Sequence, residues 1–422
     1  MEFAMFAWQT PLSTTWKDSL TTSARTHAIG VDSLVLTGAT GFIGGSVLAT
    51  LVNAGLLDRV ICLVRGTSAA HALARLRMSA VRSGLPRYRA ERLTQANVIV
   101  GELGGEFSPA DEARLTGASH VINCAAPASL STHARQLDMN VRDTLRFASH
   151  FACSKTLQRF VHVSAAMACG TRCSAVVPES VFGYGESRHL VPHTQIQREA
   201  ERLLRITYPR LPMVVVRPST VVGHTVLGTS PSARSFWVFR VVHAARRFAA
   251  RAVSRIDVVS VDDCARALTL LTVKPKLAHD TYHVSAGANA ATITQIVNAM
   301  DEATGTSGRR YSMCAPRELR AIARETTGGD HAPHSHLVER ALGLYAGFAQ
   351  LDYVFDNRHL REEIGFDPLP FTDYLNECVR TSQGIGIVEQ MKRDFVRPVT
   401  GFPAQESFLK ETCLQENTYR LL

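Results

Sequence analysis

The chain predicts an α/β fold of the Rossmann type, a doubly wound parallel sheet with a smaller, mostly helical C-terminal substrate subdomain. Three observations carry this. An apolar strand beginning at Ser33 runs into the glycine turn "TGATGFIG" and then a helix, the strand–turn–helix order of a dinucleotide-binding unit. From there to Gly223, short apolar runs alternate with amphipathic stretches, the pattern of parallel strands joined by crossover helices. After Gly223 the alternation loosens, and residues 301–422 read as short helices interrupted by prolines.

In chain order, residues 1–32 are polar and rich in Ser and Thr, with weak periodicity, and read as an N-terminal arm. "SLVLTGATGFIGGSVLATLVNAG" gives the first strand, its turn and a helix ending at Gly55. "RVICLVR" is a second strand, "SAAHALARLRMSAVRSG" a helix, "NVIVGEL" a third strand and "HVINCAAP" a fourth. A helix from about Arg135 to Ala152 precedes the fifth strand, "RFVHVSAA". The helix "REAERLL" and the strand "PMVVVRPSTVVG" follow. "SFWVFRVVHAARRFAARAVSR" predicts one long basic helix over 236–255, and residues 256–300 return to strand and helix patterns. The expected division is therefore a Rossmann domain over 33–223, rejoined by 256–290, and a substrate subdomain from 224–255 and 291–422.

Composition narrows the function. Hydrophobic residues at 45% and charged residues at 20% describe a globular chain. No run of about 18 apolar residues is present, so no membrane span is expected. The N-terminus has no basic segment of a secretory signal. The nine cysteines are scattered without a C-x-x-C, which fits reduced thiols, a cytoplasmic location and no metal site. The net charge of +9 is spread along the chain without a nucleic-acid-binding motif, so no nucleic acid partner is expected.

Gly38, Gly41 and Gly44 are spaced G-x-x-G-x-x-G. A tight turn there lets backbone approach a pyrophosphate at a helix N-terminus. Arg65 closes the second strand where an acid would bind the ribose hydroxyls of NAD. An arginine instead receives the 2′-phosphate of NADP. Arg75, on the next helix, is a second phosphate contact or a solvated face.

These motifs resemble the extended short-chain dehydrogenase/reductases. The chain is most similar to their thioester reductase and fatty acyl-CoA reductase ("male sterility") group. The resemblance covers about residues 33–300 through "TGATGFIG", "CLVR", "VGEL" (usually G-D-L), "NCAAPASL", "NVRDT", "FVHVSAA", "REAERLL", "RPSTVVGHTVLG" and "IDVVSVDDCARAL". It implies NADP(H) as cofactor. Gly38, Thr40, Gly41, Phe42, Ile43 and Gly44 would hold the pyrophosphate and Arg65 the 2′-phosphate. Glu102 and Leu103 would lie by the adenine, and Ala125, Ala126 and Asn140 along the ribose and nicotinamide. Pro218, Ser219 and Thr220 would cover the nicotinamide.

The resemblance also implies hydride transfer to a thioester or aldehyde carbonyl, served by a tyrosine, a lysine and a serine or threonine hydroxyl. All three are replaced. Aligned on "REAERLL", the tyrosine position falls on His193 and the lysine position on Gln197; aligned on "FVHVSAA", the hydroxyl position falls on Ala165. Ser164 is its neighbour, but adjacent strand residues face opposite sides. Tyr184, with Arg188 four residues on, is a lower-ranked rival. His193 either donates a proton near neutrality or only starts the helix.

Three functions follow as expectations. The first is an NADPH-dependent reductase of an acyl thioester on CoA or an acyl or peptidyl carrier protein, in lipid or secondary metabolism. The second is redox-independent chain release by Dieckmann-type cyclisation, with His193 as base. The third is a non-catalytic NADP-binding protein. Arg240, Arg246, Arg247 and Arg251 would meet a phosphopantetheine or acidic carrier protein, or form a solvated basic face.

Overall fold

The computed structural model describes residues 30–395 except 126–133, 172, 184, 186, 233–234, 307–309, 316–317 and 328–334. Ala126, Tyr184 and most of the N-terminal arm lie outside the described residues. Seven strands form one sheet: β1 (Leu34–Thr37), β2 (Val60–Val64), β3 (Val98–Val100), β4 (His120–Asn123), β5 (Arg159–Val163), β6 (Met213–Pro218) and β7 (Thr281–Val284). Their order is β7-β6-β5-β4-β1-β2-β3, and every neighbouring pair is parallel. The order reverses beside β1, between β1 and β4, so the crevice for a ligand opens at the carboxyl ends of those two strands.

Alternation along each strand divides the core into two layers. Leu34, Leu36, Cys62, Val64, Ile122, Val161 and Val216 face one layer, and Val35, Leu63, Val121, Phe160 and Val215 face the other. Helices α1 (Phe42–Asn53) and α2 (Ala69–Arg82) cover the first layer. On the second lie α3 (Pro109–Thr116), α4 (Ala134–Ser149) and α5 (Pro192–Thr207). Phe147, Phe151 and Phe160 pack at ring centroid distances of 5.2–6.2 Å in the second layer. Both faces are covered, which is why the strands read as continuous apolar runs.

The helix α6 (Phe236–Ala245) begins the region after Gly223. It is followed by α7 (Val261–Val273), capped by Ser260, which accepts from the Asp263 N–H at 3.1 Å. Residues of α7 and β7 lie in the first core layer beside α1, so the chain returns to the sheet here. Six more helices are α8 (Ile293–Thr304), α9 (Leu319–Thr327), α10 (Ser335–Leu351), α11 (Arg358–Ile364), α12 (Phe371–Arg380) and α13 (Ile387–Phe395). Trp237, Val241, Ile322, Val338 and Leu342 tie α6 to α9 and α10 in a separate apolar cluster.

Two expectations are corrected. The long helix over 236–255 stops at Ala245: Arg246 takes φ +55, and Arg247–Phe248 become a short strand beside Ser312–Met313. The tail is also more regular than its prolines suggested, since α10 runs for 17 residues. The eight cysteines among the described residues are free thiols. No helix among those residues is long and apolar enough to cross a membrane.

Candidate functional site

The parallel register sets Thr37, Asn123 and His162 side by side at the carboxyl edge of the sheet. Thr37 Oγ1 donates to Asn123 Oδ1 at 2.6 Å and accepts from the Ala125 N–H at 3.0 Å. The Asn123 amide nitrogen lies 3.3 Å from His162 Nδ1. An amide NH2 only donates, so His162 accepts there and carries its proton on Nε2. Burial pushes the His162 pKa down to about 4, so the ring is neutral at pH 7. This chain fixes three strand ends and seats the Cys124–Ala125 segment against the glycine turn.

That segment is why glycine is required at 38. Gly38 has φ +70, and a Cβ there would lie 2.8 Å from the Cys124 carbonyl carbon. A Cβ on Gly44 would lie 2.2 Å from the Gly38 carbonyl oxygen. Gly41 begins α1 in extended conformation, with no side-chain cap and no acid in the first turn. The first N–H groups of α1 are thus left for an external anion. Phe42 is buried, so what it offers a ligand is its N–H; Thr40 and Ile43 are half-buried. Helix α2 braces the turn from behind: Ser79 Oγ donates to the Ala39 carbonyl at 3.0 Å and Arg82 to the Thr40 carbonyl at 3.2 Å.

Arg65 is exposed just beyond β2, and Arg75 of α2 donates through Nη1 to the Arg65 carbonyl. Burial and the Arg65 charge hold the Arg75 pKa below the ordinary guanidinium value. No carboxylate pairs with either arginine among the described residues. Two adjacent cations of this kind fit a phosphate dianion. Glu102, just beyond β3, is exposed; Leu103 is half-buried on the second core layer. Asn140 lies in α4.

On the other side of β1, the chain leaves β5 through Ser164 and Ala165 into a short turn, Ala166–Cys169, that packs on α5. Ser164 is buried with its hydroxyl unpartnered, and its N–H is tied to the Val216 carbonyl at 2.8 Å. Ala165 is half-exposed. The two therefore face opposite sides, and the residue at the open position is the one without a hydroxyl. Pro192 starts α5, and His193 is half-buried in its first turn. Gln197, one turn on, is buried. One further turn on, Glu201 is clamped to the fully buried Arg217 of β6 by hydrogen bonds of 2.6–3.2 Å. Arg217 also donates to the Ser180 carbonyl at 2.7 Å and stacks 3.5 Å from the Phe182 ring centroid. Its charge is thus consumed by Glu201 and does not replace the missing lysine.

Pro218 closes β6 and is buried; Ser219 and Thr220 follow it, half-buried and tied by their N–H groups to the Val284 and Asp257 carbonyls. Thr220 and Met167, with Val238, Phe239, Tyr345 and Phe348, line a mostly apolar cavity. The cavity joins the carboxyl edge of the sheet to the C-terminal helices. Asp257 lines it, and burial raises its pKa to about 6.

Of the four arginines expected either to meet a phosphopantetheine or carrier protein or to form a solvated basic face, Arg240 and Arg246 are held by partners within the fold, whereas Arg251 is 69% exposed. Arg240 reaches Gln390 at 2.6 Å and the Ile385 carbonyl at 2.7 Å, Arg246 pairs with Asp301, and Arg251 pairs with Asp352 at 2.6 Å. Arg247 is half-buried. No group of His, Cys, Asp or Glu among the described residues is arranged to hold a metal ion.

Comparison with known proteins is consistent with this geometry. The family model described as male sterility protein, an NAD-binding domain, matches residues 36–268. Peramine synthetase ppzA of Metarhizium rileyi (strain RCEF 4871) is 27% identical over 72% of this chain and 11% of its own length. The non-canonical nonribosomal peptide synthetase FrzA of Cladobotryum sp is 28% identical over 61% of this chain and 26% of its own length. The chain thus spans about a tenth to a quarter of these relatives. Among solved structures, the terminal R domain of the myxalamid PKS-NRPS pathway superposes with TM-score 0.67 at 18% identity, covering 87% of this chain and 92% of that one. A thiolation-reductase di-domain from an archaeal nonribosomal peptide synthetase superposes with TM-score 0.61 at 15% identity, covering 88% and 80%.

Proposed function

Because the chain belongs to the male sterility protein family of NAD-binding domains, we propose that it binds NADP(H) and reduces an acyl thioester held on a carrier protein or CoA. The observation that carries the cofactor choice is the pair Arg65 and Arg75 beside the uncapped start of α1. The thioester is supported by the nonribosomal peptide synthetase relatives and by the thiolation-reductase fold neighbour. The apolar cavity beyond Thr220 suits an acyl chain.

When bound, the reduced cofactor supplies hydride. The first N–H groups of α1 would hold its pyrophosphate, and Arg65 and Arg75 its 2′-phosphate. As the carbonyl carbon is reduced, negative charge grows on its oxygen, and His193 donates a hydrogen bond and then a proton to that atom. Gln197 offers an amide without charge, and Ala165 offers no donor. Each lost donor at such a site lowers rate by about 10²–10³, so turnover is slow. Those same losses favour a second reading, cyclising release without hydride transfer, with His193 removing an α-proton. The first test is NADPH oxidation with octanoyl-CoA: His193→Ala should abolish it, and unchanged turnover would remove His193 from the mechanism.

A further inference from the structure

Ser187, His189 and Thr194 form a hydrogen-bonded line at the start of α5. Ser187 Oγ lies 2.6 Å from His189 Nε2, and His189 Nδ1 lies 3.0 Å from Thr194 Oγ1. Thr194 sets the proton positions. Its hydroxyl donates its single proton to the Val191 carbonyl at 2.9 Å, so it accepts from His189. Nδ1 therefore carries the ring proton, and Nε2 presents its lone pair to the Ser187 hydroxyl. A base oriented by a third group, with a hydroxyl in reach, is the arrangement of an activated nucleophile. Burial, and then the Arg198 charge, hold the His189 pKa below its ordinary value, leaving the ring neutral at pH 7 with a lone pair free to accept a proton.

The line adjoins the site described above. A Cβ on Gly170 would lie 2.8 Å from the Arg188 carbonyl oxygen and 3.2 Å from the Ser187 Cβ. The Thr171 N–H donates to that Arg188 carbonyl at 2.8 Å. The segment bearing Ser187 is thereby laced to the turn that follows Ala165. Ser187 and His189 are both half-buried, so they remain open to a reactant.

We propose that Ser187 is an acyl nucleophile, with His189 its general base and Thr194 a positioning residue, and that it hydrolyses acyl thioesters without a redox step. The choice of thioester rests on the reading of the substrate given above. Ser187 Oγ bonds to the thioester carbonyl carbon while its proton passes to His189 Nε2. The C–S bond then breaks, the proton moves from Nε2 to sulfur, and a free thiol leaves an acyl ester on Ser187. Water, deprotonated by His189, attacks that ester to release the carboxylic acid and restore the Ser187 hydroxyl.

The test uses the full chain with a fluorophosphonate probe, read by peptide mass spectrometry, and with octanoyl-CoA in the absence of NADPH, read by release of free CoA. The expected result is a probe adduct on Ser187 and CoA release lost on Ser187→Ala. Release should slow about 10²–10⁴-fold in His189→Gln. Ser187→Cys, which keeps a nucleophile, should retain measurable release. Thr194→Val should shift the pH midpoint of labelling, which a purely structural clasp would leave in place. No adduct on Ser187, or CoA release unchanged by Ser187→Ala, overturns the proposal; NADPH-dependent consumption of octanoyl-CoA in that case leaves the substrate reading intact. An adduct on Ser187 with octanoyl-CoA inert to both reactions upholds the nucleophile and removes the thioester.

Discussion

Arg65 and His193 carry opposite halves of the proposed function, one for binding and one for chemistry. Arg65 makes a sharp prediction. Hydrogen bonds to a charged group contribute about 1.5–3 kcal/mol, so Arg65→Ala should weaken NADPH binding by about 10–100-fold and leave NADH binding nearly unchanged. Isothermal titration with both cofactors reads this directly; equal loss for both would place the arginine away from the 2′-phosphate. Much at this scale is legible in sequence. Gly38 and Gly44 announce themselves because no other residue tolerates the positive φ or the close backbone approach found there. The Thr37–Asn123–His162 chain is not legible. It exists only because strands distant in sequence align in register, and a single Thr or Asn on a strand carries no mark of that. The Ser187–His189–Thr194 line is hidden for a different reason: two of its members lie in the loop before α5, where no periodicity says which side chains meet the helix start.

Among the elements, α5 is the one that fixes the site, and its anchor is the Glu201–Arg217 pair. Both side chains are almost wholly buried and the contact is multidentate. Removing one partner strands a charge in the interior, at a cost of about 3–5 kcal/mol. Glu201→Ala should therefore lower unfolding free energy by that amount in urea titration, whereas loss below about 1 kcal/mol would show that the pair is not desolvated. The start of α5 was readable from Pro192 and the amphipathic run behind it. The end of α6 was not. No Gly or Pro follows Ala245; Arg246 adopts a left-handed conformation where it pairs with Asp301, while the next two residues join Ser312–Met313. Tertiary contacts overrule a sequence that favours more helix.

For the whole molecule, the strands and the order of their connections were legible because a sheet covered on both faces demands unbroken apolar runs. The partition of the C-terminal helices around α6 was not, since their pairing depends on distant partners. Protonation behaviour also belongs to this scale. Burial pushes His162 and His120 down to about 4 and His283 to about 3. For a depressed histidine, the unfolded chain binds more protons than the native one between the folded pKa and about 6.5, so stability rises with pH across that window. Glu179 and Asp257, raised by burial to about 7 and about 6, oppose this, because the native state holds their protons longer and loses stability as pH climbs. The histidine shifts are larger in sum, so the melting temperature should rise from pH 4 to pH 6.5. His162→Gln, which keeps an acceptor for Asn123, should flatten that rise by up to about one proton; an unaltered slope would show that His162 is protonated in the fold.

The measurement that tests the proposed reaction most directly is mass spectrometry of the products formed from an acyl thioester with and without NADPH. An aldehyde or alcohol that forms only with NADPH, and disappears with His193→Ala, is the predicted result. Tight NADPH binding with no reduced product from carrier-bound or CoA thioesters would contradict it.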